Sequence, residues 1–348
     1  MIDTKPQQSL YPWLVKPYLS LADDLANDRL HHALLFHSSA SLGKSQLLGR
    51  LVKLIHCASV SESKACGECQ HCQLHAANTH ADYYHIRCLD NKNQISIEQV
   101  RTLSQKLMGT GLVNKRRVVI IESVELMTES AQNALLKILE EPPLHVYFLL
   151  STSNIAQVSA TILSRCFKML IEQPQRDKLL NWLERKSGKS ITRDQLTLLG
   201  DSPLKAIDAL MNDRLAQISP LLDQYNALYL AWQNRELDSA YSAAIMLAQE
   251  IEKLANEKSN PLIFGESLMM LIRFNHWVAK GQLVSNLDNS LLALPLQTSV
   301  NKIDALSLTE FDQKMNQLRH QLADNTGLNG LMQLRSIMIE ITERIIED

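Results

Sequence analysis

Short apolar runs and helical spacing alternate through the first half of the chain. His32-Ala33-Leu34-Leu35-Phe36 is a compact apolar run and predicts a buried strand. A loop from Ser38 to Gly43 follows, and then amphipathic spacing from Lys44 to about Ala58 predicts a helix. Asp82 to Leu89 is a second strand candidate. Ser96 precedes a helical run with Gln99 three positions on, the spacing of a capping box. Arg117 to Ile121 is rich in β-branched residues and predicts a third strand. A helix is expected from Thr128 until Pro142-Pro143 stops it, and Val146 to Leu150 reads as a fourth strand. Strands alternating with helices predict a parallel sheet covered on both faces.

Beyond about residue 172 the strand pattern fades. Gln173-Pro174 marks a joint, and a helical segment containing Gly200-Asp201-Ser202-Pro203 runs to about residue 212. The remainder reads as all-helical. Leu308, Phe311, Met315, Leu318 and Leu322 step by three and four, as do Leu331, Leu334, Met338, Ile341 and Ile345. Such stripes serve either a helical core or an oligomerisation surface. The expected organisation is an α/β domain over 1–172 with an insertion at about 57–72, a helical segment over 173–212, and an all-α domain over 213–348.

Composition narrows the setting. The 348 residues are 45% hydrophobic, enough for ordinary cores, and no apolar run is long enough to cross a bilayer. The start, MIDTKPQQSLYPWL, lacks a secretory layout, so a soluble cytoplasmic protein is expected. Net charge is −2 overall. Residues 1–170 carry 17 Lys+Arg against 14 Asp+Glu and the rest 18 against 23, so the halves are +3 and −5, a weak footprint for nucleic acid.

Four of the six cysteines, Cys57, Cys66, Cys69 and Cys72, fall in one stretch with spacing C-x8-C-x2-C-x2-C. Tetrahedral Zn2+ favours thiolates, and a Cys-x2-Cys pair places two sulfurs on one ion, so a closed structural zinc site is expected. Disulfides or unligated thiols are the alternatives. His71 and His75 are close enough to replace one cysteine. Cys88 and Cys166 are expected as buried free thiols.

The segment Ser38 to Ser45 follows a strand and opens a helix, the setting of a phosphate loop G-x4-G-K-[ST]. Gly43, Lys44 and Ser45 are retained. Ser38 stands where the first glycine is needed, and Ser41 adds a Cβ where a flexible loop is wanted. After the third strand a nucleotide hydrolase needs an acid for magnesium and a second acid to activate water. Here Glu122 is followed by Ser123, which cannot act as a carboxylate base, and Glu125 is displaced. The pattern predicts a damaged nucleotide site without hydrolysis. The alternative is that the strands form a core and never held nucleotide.

Thr128 to Pro143, TESAQNALLKILEEPP, followed by Ala160-Thr161-Ile162-Leu163-Ser164-Arg165-Cys166, resembles the bacterial DNA polymerase III clamp-loader subunits, a branch of the AAA+ ATPases. Tyr11-Pro12-Trp13-Leu14, Thr79 to Tyr84 and Thr326-Gly327-Leu328-Asn329 extend the resemblance over essentially the whole chain. It implies a RecA-like AAA+ domain with a zinc module inserted after its first helix, a small helical lid, and a C-terminal helical collar. It implies a five-subunit ring with gamma/tau-type motor subunits and a delta subunit, acting on a sliding clamp and primed DNA. It further implies that Arg165 serves the nucleotide site of a neighbouring motor subunit.

The departures bear on activity. Ser38 and Ser41 replace loop glycines, Ser123 replaces the catalytic acid, and Leu204 stands where the lid arginine of G-S-x-R-x-A is expected, with Lys205 beside it. The expectation is a non-hydrolysing stator subunit carrying structural Zn2+, with polymerase activity belonging to the whole assembly. Two rivals remain: an ATP-hydrolysing motor subunit using Lys44, Ser45 and Glu122, and a zinc-dependent nucleic-acid module in which Lys115-Arg116-Arg117 would contact phosphate, although these three are expected as a solvated basic turn before the strand.

Overall fold

The computed structural model describes residues 9–257, apart from 39–40, 90–91, 93, 110, 112, 192, 213–222, 226 and 233, and the segments 305–324 and 330–347. The chain forms two compact units, Met1–Gln175 and Arg176–Asp348.

The first unit is built on a five-stranded sheet of β1 (Ala33–His37), β2 (Tyr83–Ile86), β3 (Arg117–Ile121), β4 (Val146–Thr152) and β5 (Phe167–Leu170). The order is β2-β3-β4-β1-β5 and every pairing is parallel. Because side chains alternate along a strand, each strand supplies two cores. Val118, Ile120, Leu34, Phe36 and Leu149 face α1 (Pro12–Ala26) and α2 (Lys44–His56). Val119, Ile121, Leu35, Phe148 and Leu150 face α4 (Ile97–Met108) and α5 (Glu129–Glu140), while α3 (Gln70–Ala76) belongs to the cysteine-rich insertion. The expected α/β class with both faces covered is therefore the one observed.

Local signals fixed most ends. The Ser96 N–H donates to Gln99 Oε1 at 3.1 Å, and Thr128 Oγ1 accepts from the Ala131 N–H at 3.2 Å to cap α5. The second strand is shorter than expected at its start, because Asp82 is buried and its Oδ2 accepts the N–H groups of Val113 and Asn114 at 2.7 Å each. At its far end, Arg87 to Leu89 lie beyond the strand. The sequence pattern missed β5. Its four residues leave Phe167, Lys168 and Leu170 exposed, so neither alternation nor a continuous apolar run announces it.

In the second unit, α7 (Arg176–Ser187), α8 (Arg193–Leu198) and α9 (Pro203–Met211) precede the long helices α10 (Leu237–Glu257), α11 (Ala305–Asp324) and α12 (Gly330–Glu347). Ser202 caps α9 by accepting from the Lys205 N–H at 3.3 Å. Phe311, Met315, Leu318, Leu334, Met338, Ile341 and Ile345 are buried, so each stripe, as far as its side chains are described, faces a core. That core centres on Trp232, whose Nε1–H donates to Thr342 Oγ1 at 3.1 Å and whose ring meets Phe311 edge-on at 6.0 Å. The expected boundary at 212 and the segment Thr326 to Asn329 adjoin or lie outside the described residues. Among the described residues, no helix is long and apolar enough to cross a membrane.

Phe148 is fully buried on the central strand β4. Phe148→Ala is expected to cost about 3–5 kcal/mol of stability, read by urea unfolding; a loss under about 1 kcal/mol would show that this core collapses onto the vacancy.

Candidate functional site

Lys44 begins α2 at the carboxyl end of β1. Its Nζ donates to the Ser38 carbonyl at 3.2 Å, to Ser38 Oγ at 3.0 Å and to Ser153 Oγ at 3.4 Å. The Ser153 partner follows from register: β1 pairs with β4, His37 opposite Thr152, so the residues after both strands meet. Burial pushes the Lys44 ammonium below its ordinary range, and the Glu125 carboxylate pulls it back. Glu125 Oε1 also accepts from the Ser153 N–H at 3.0 Å. Glu122 stands elsewhere, 3.3 Å from His85 Nε2 on β2, and that imidazole holds its carboxyl below the usual range. The displaced acid Glu125 is thus the one that acts on Lys44, which spacing alone did not reveal.

The loop itself is covered. Gly43 has φ +85°, and a Cβ there would lie 2.6 and 2.7 Å from the Tyr11 ring. Tyr11 stacks on Trp13 at 5.2 Å, the Trp13 Nε1–H donates to the Leu42 carbonyl at 2.8 Å, and the Tyr11 N–H donates to Gln46 Oε1 at 3.1 Å. Ser41 sits at φ 68°, a left-handed position that a serine occupies at some strain. Ser45 lies in the first turn of α2.

Arg165 closes the short helix α6 (Ala160–Arg165) just before β5. Its Nη2 meets Glu140 Oε1 at 2.5 Å, and its Nη1 donates to the Thr161 carbonyl at 3.0 Å. It lines an open cavity of about 690 Å³ with His31, His32, Glu140 and Phe167. Burial lowers His32, whose Nε2 lies 3.3 Å from the Leu139 carbonyl. Leu34 of β1 pairs with Phe167 of β5, so this cavity lies at the amino ends of the strands. Lys44 lies at their carboxyl ends. Five residues of β1 separate the two, about 16 Å at roughly 3.3 Å per residue.

The cysteines converge as expected. The Sγ atoms of Cys57 and Cys66 are 3.6 Å apart, and the 57–69 and 66–72 pairs are each 4.0 Å apart. Zinc–sulfur bonds of about 2.3 Å in a tetrahedron place sulfurs about 3.8 Å apart. All six cysteines are free thiols, so the disulfide alternative fails. The four can hold a metal ion. Backbone N–H groups of Cys66 and Cys69 point at the Cys57 and Cys66 sulfurs, at 3.2 and 3.3 Å, which favours thiolates. His71 and His75 do not join this set. His75 belongs to a separate buried group with His56 and His80. Cys166 is buried and Cys88 only half-buried.

Arg117 is buried, with Nη1 donating to the Leu107 and Gly109 carbonyls at 2.8 and 2.6 Å. That corrects the expected solvated basic turn at Arg117, and equally removes it as a phosphate contact, since its donors satisfy the end of α4. Leu204 and Lys205 both lie in α9.

A parallel sheet in this order, covered by helices on both faces, defines a doubly covered α/β domain with a lysine-bearing loop at the carboxyl end of β1. A family model described as DNA polymerase III, delta subunit, matches residues 16–175. DNA polymerase III subunit delta' of Yersinia pestis is 30% identical over 92% of this chain and 91% of that protein. The subunit delta' of Haemophilus influenzae is 34% identical over 64% of this chain and 68% of that protein. A solved Thermotoga maritima protein related to the DNA polymerase III gamma subunit overlaps 94% of this chain and 99% of its own, at 19% identity and TM-score 0.44. The chain belongs to the family of DNA polymerase III subunit delta'.

Gly43→Ala is expected to lose at least about 1–2 kcal/mol from the left-handed backbone, with a further loss from displacing Tyr11. In a Tyr11→Ala background only the backbone part should remain. Equal penalties in both backgrounds, by denaturant unfolding, would refute the packing role.

Proposed function

We propose that the chain is a non-hydrolysing stator in the DNA polymerase III clamp loader, where it assists ATP-driven loading of the sliding clamp onto primed DNA in the cytoplasm. Its partners in this reading are gamma/tau-type motor subunits and a delta subunit in a five-subunit ring. Arg165 serves the nucleotide site of an adjacent motor subunit. One observation carries this: Arg165 and Lys44 occupy opposite ends of β1. A guanidinium at the amino ends cannot reach a phosphate held at the carboxyl ends of the same sheet. In the cavity with His31 and His32 it is open to an incoming anion, and a positioned arginine stabilises charge spreading over a transferring phosphoryl group. Glu140 holds it in place until then.

The chain's own loop supports loss of hydrolysis. Ser123 follows Glu122, Glu122 is engaged with His85, and Tyr11 covers Gly43. The four thiols fit a structural Zn2+ and would fasten the insertion between α2 and α3. A motor-subunit reading draws on Lys44, Ser45 and the nearby Glu125.

In a ring assembled with Arg165→Ala, turnover at the neighbouring site is expected to fall by about 10³–10⁵. Lys44→Ala in this chain should leave ring ATPase unchanged. Full activity with Arg165→Ala would remove the stator role, and loss with Lys44→Ala would favour the motor reading. For the metal, Co2+-loaded protein should show thiolate-to-cobalt absorption that Cys69→Ser weakens. Small zinc peptides gain roughly 10–16 kcal/mol from the ion, of which only part should appear here because the sheet has its own core.

A further inference from the structure

The cavity around Arg165 holds a second hydrogen-bond donor that the stator reading does not use. In the register of β1 on β5, Leu34 lies opposite Phe167, and His32 and Arg165 each stand two residues before that pair. His31 is the next residue outward. It is exposed and lines the same cavity.

Two contacts fix the His31 ring. Its face stacks on His32, with centroids 4.5 Å apart and planes 28° apart. Its Nδ1 lies 3.1 Å from the Ala33 backbone nitrogen and 2.8 Å from the Ala33 carbonyl oxygen. The reason is the end of the ladder. The His32 carbonyl accepts from the Phe148 N–H of β4 at 2.6 Å, so the alternating Ala33 groups face the other side, where β5 begins only opposite Leu34. His31 supplies the partner that β5 is too short to give. When the Ala33 N–H donates to Nδ1, the neutral ring carries its proton at Nε2. When Nδ1–H donates to the Ala33 carbonyl, a protonated ring again carries a proton at Nε2. Ala33 thus accommodates both forms that present an Nε2–H, and an arriving anion selects them over the neutral Nδ1–H ring. Holding one ring nitrogen in this way decides what the other can do. Among the described residues, Nε2 has no hydrogen-bond partner.

The charges around the cavity give that donor a purpose. Arg165 is paired with Glu140 and donates to the Thr161 carbonyl and to Ser164 Oγ. His32 is turned to the Leu139 carbonyl at 3.3 Å, and burial holds it below its ordinary range, so it lines the cavity as a neutral ring. A phosphate that enters must take the guanidinium from Glu140, and the Glu140 carboxylate repels it meanwhile. An adjacent donor with no partner to give up holds the phosphate through that exchange. We propose that His31 donates from Nε2 to the terminal phosphate of the nucleotide held by the adjacent subunit, beside Arg165. This rests on the stator reading and adds to it a second phosphate-binding residue.

Glutamine and asparagine separate the two ring nitrogens. A glutamine amide nitrogen falls near the place of Nε2, and an asparagine amide nitrogen near that of Nδ1. In the assembled ring, His31→Gln should hold kcat/KM for ATP at the neighbouring site within about twofold, whereas His31→Asn and His31→Ala should each lower it by about tenfold or more, the loss of one hydrogen bond to a charged group. Rescue by asparagine and not by glutamine would show that the ring only serves Ala33, and overturns the proposal. Equal losses in all three variants, or wild-type values in all three, overturn it too. Arg165→Ala in the same assay tells this failure from that of the stator reading. Loss with Arg165→Ala and none with the His31 variants removes only the His31 donor, and full activity throughout removes both. Full activity with Arg165→Ala, with loss in His31→Asn and rescue by His31→Gln, removes the arginine's role and leaves the His31 donor standing. His31 is exposed and outside both cores of the first unit, so the variants should match wild type in thermal unfolding and ring assembly.

Discussion

The double pairing of β1 governs the rest of the first unit. β1 lies between β4 and β5, parallel to both, with Leu35 opposite Leu150 on one side and Lys168 on the other. Parallel strands put every amino end at one edge and every carboxyl end at the other. The loop after β1 therefore meets the residues after β4, and Lys44 finds Ser153. The residues before β1 meet those before β5, and His31 and His32 join Arg165 around one cavity. Neither neighbourhood requires contact along the sequence; each follows from register.

The two edges then have different fates. At the carboxyl edge the polar groups are turned on one another: Lys44 on Ser38 and Ser153, Glu125 on the Ser153 N–H, Glu122 on His85. At the amino edge Arg165 pairs with the Glu140 carboxylate at the rim of an open cavity. Arg165 also donates to the Thr161 carbonyl and to Ser164 Oγ, and both of those acceptors belong to its own helix, so among the described residues only the Glu140 pair ties it to another element. Solvent-exposed ion pairs of that kind contribute little.

Much of this was legible in the sequence because the signals were local. The run Val118 to Ile121 is buried on both faces and could only be a covered strand, and the thiols lie within sixteen residues of one another. Thr128 and Pro142-Pro143 bracket α5 by backbone chemistry alone. What escaped depends on contacts far apart in sequence. β5 is recognisable only from its pairing with β1. Glu125 comes near Lys44 because a short helical turn, Val124–Leu126, follows Ser123 at φ 55° and redirects the chain. The histidine group spans positions 56, 75 and 80, a spacing that matches no helical or strand period. It exists because α2, α3 and the approach to β2 converge.

The retained Gly43-Lys44-Ser45 is the feature whose meaning changes most. In sequence it is the remnant of a phosphate loop and invites a nucleotide. In the fold, two of the three residues have sufficient reasons of their own. Gly43 needs a positive φ and lies under Tyr11, where any Cβ would strike the ring. Lys44 links the loop to β4 through Ser38 and Ser153. Substituting Gly43 would disturb the junction of β1, α1 and α2 whether or not a phosphate ever entered. The nucleotide question turns instead on Ser38, Ser41 and Ser123; position 41 holds a serine at φ 68°, where the backbone itself would favour glycine.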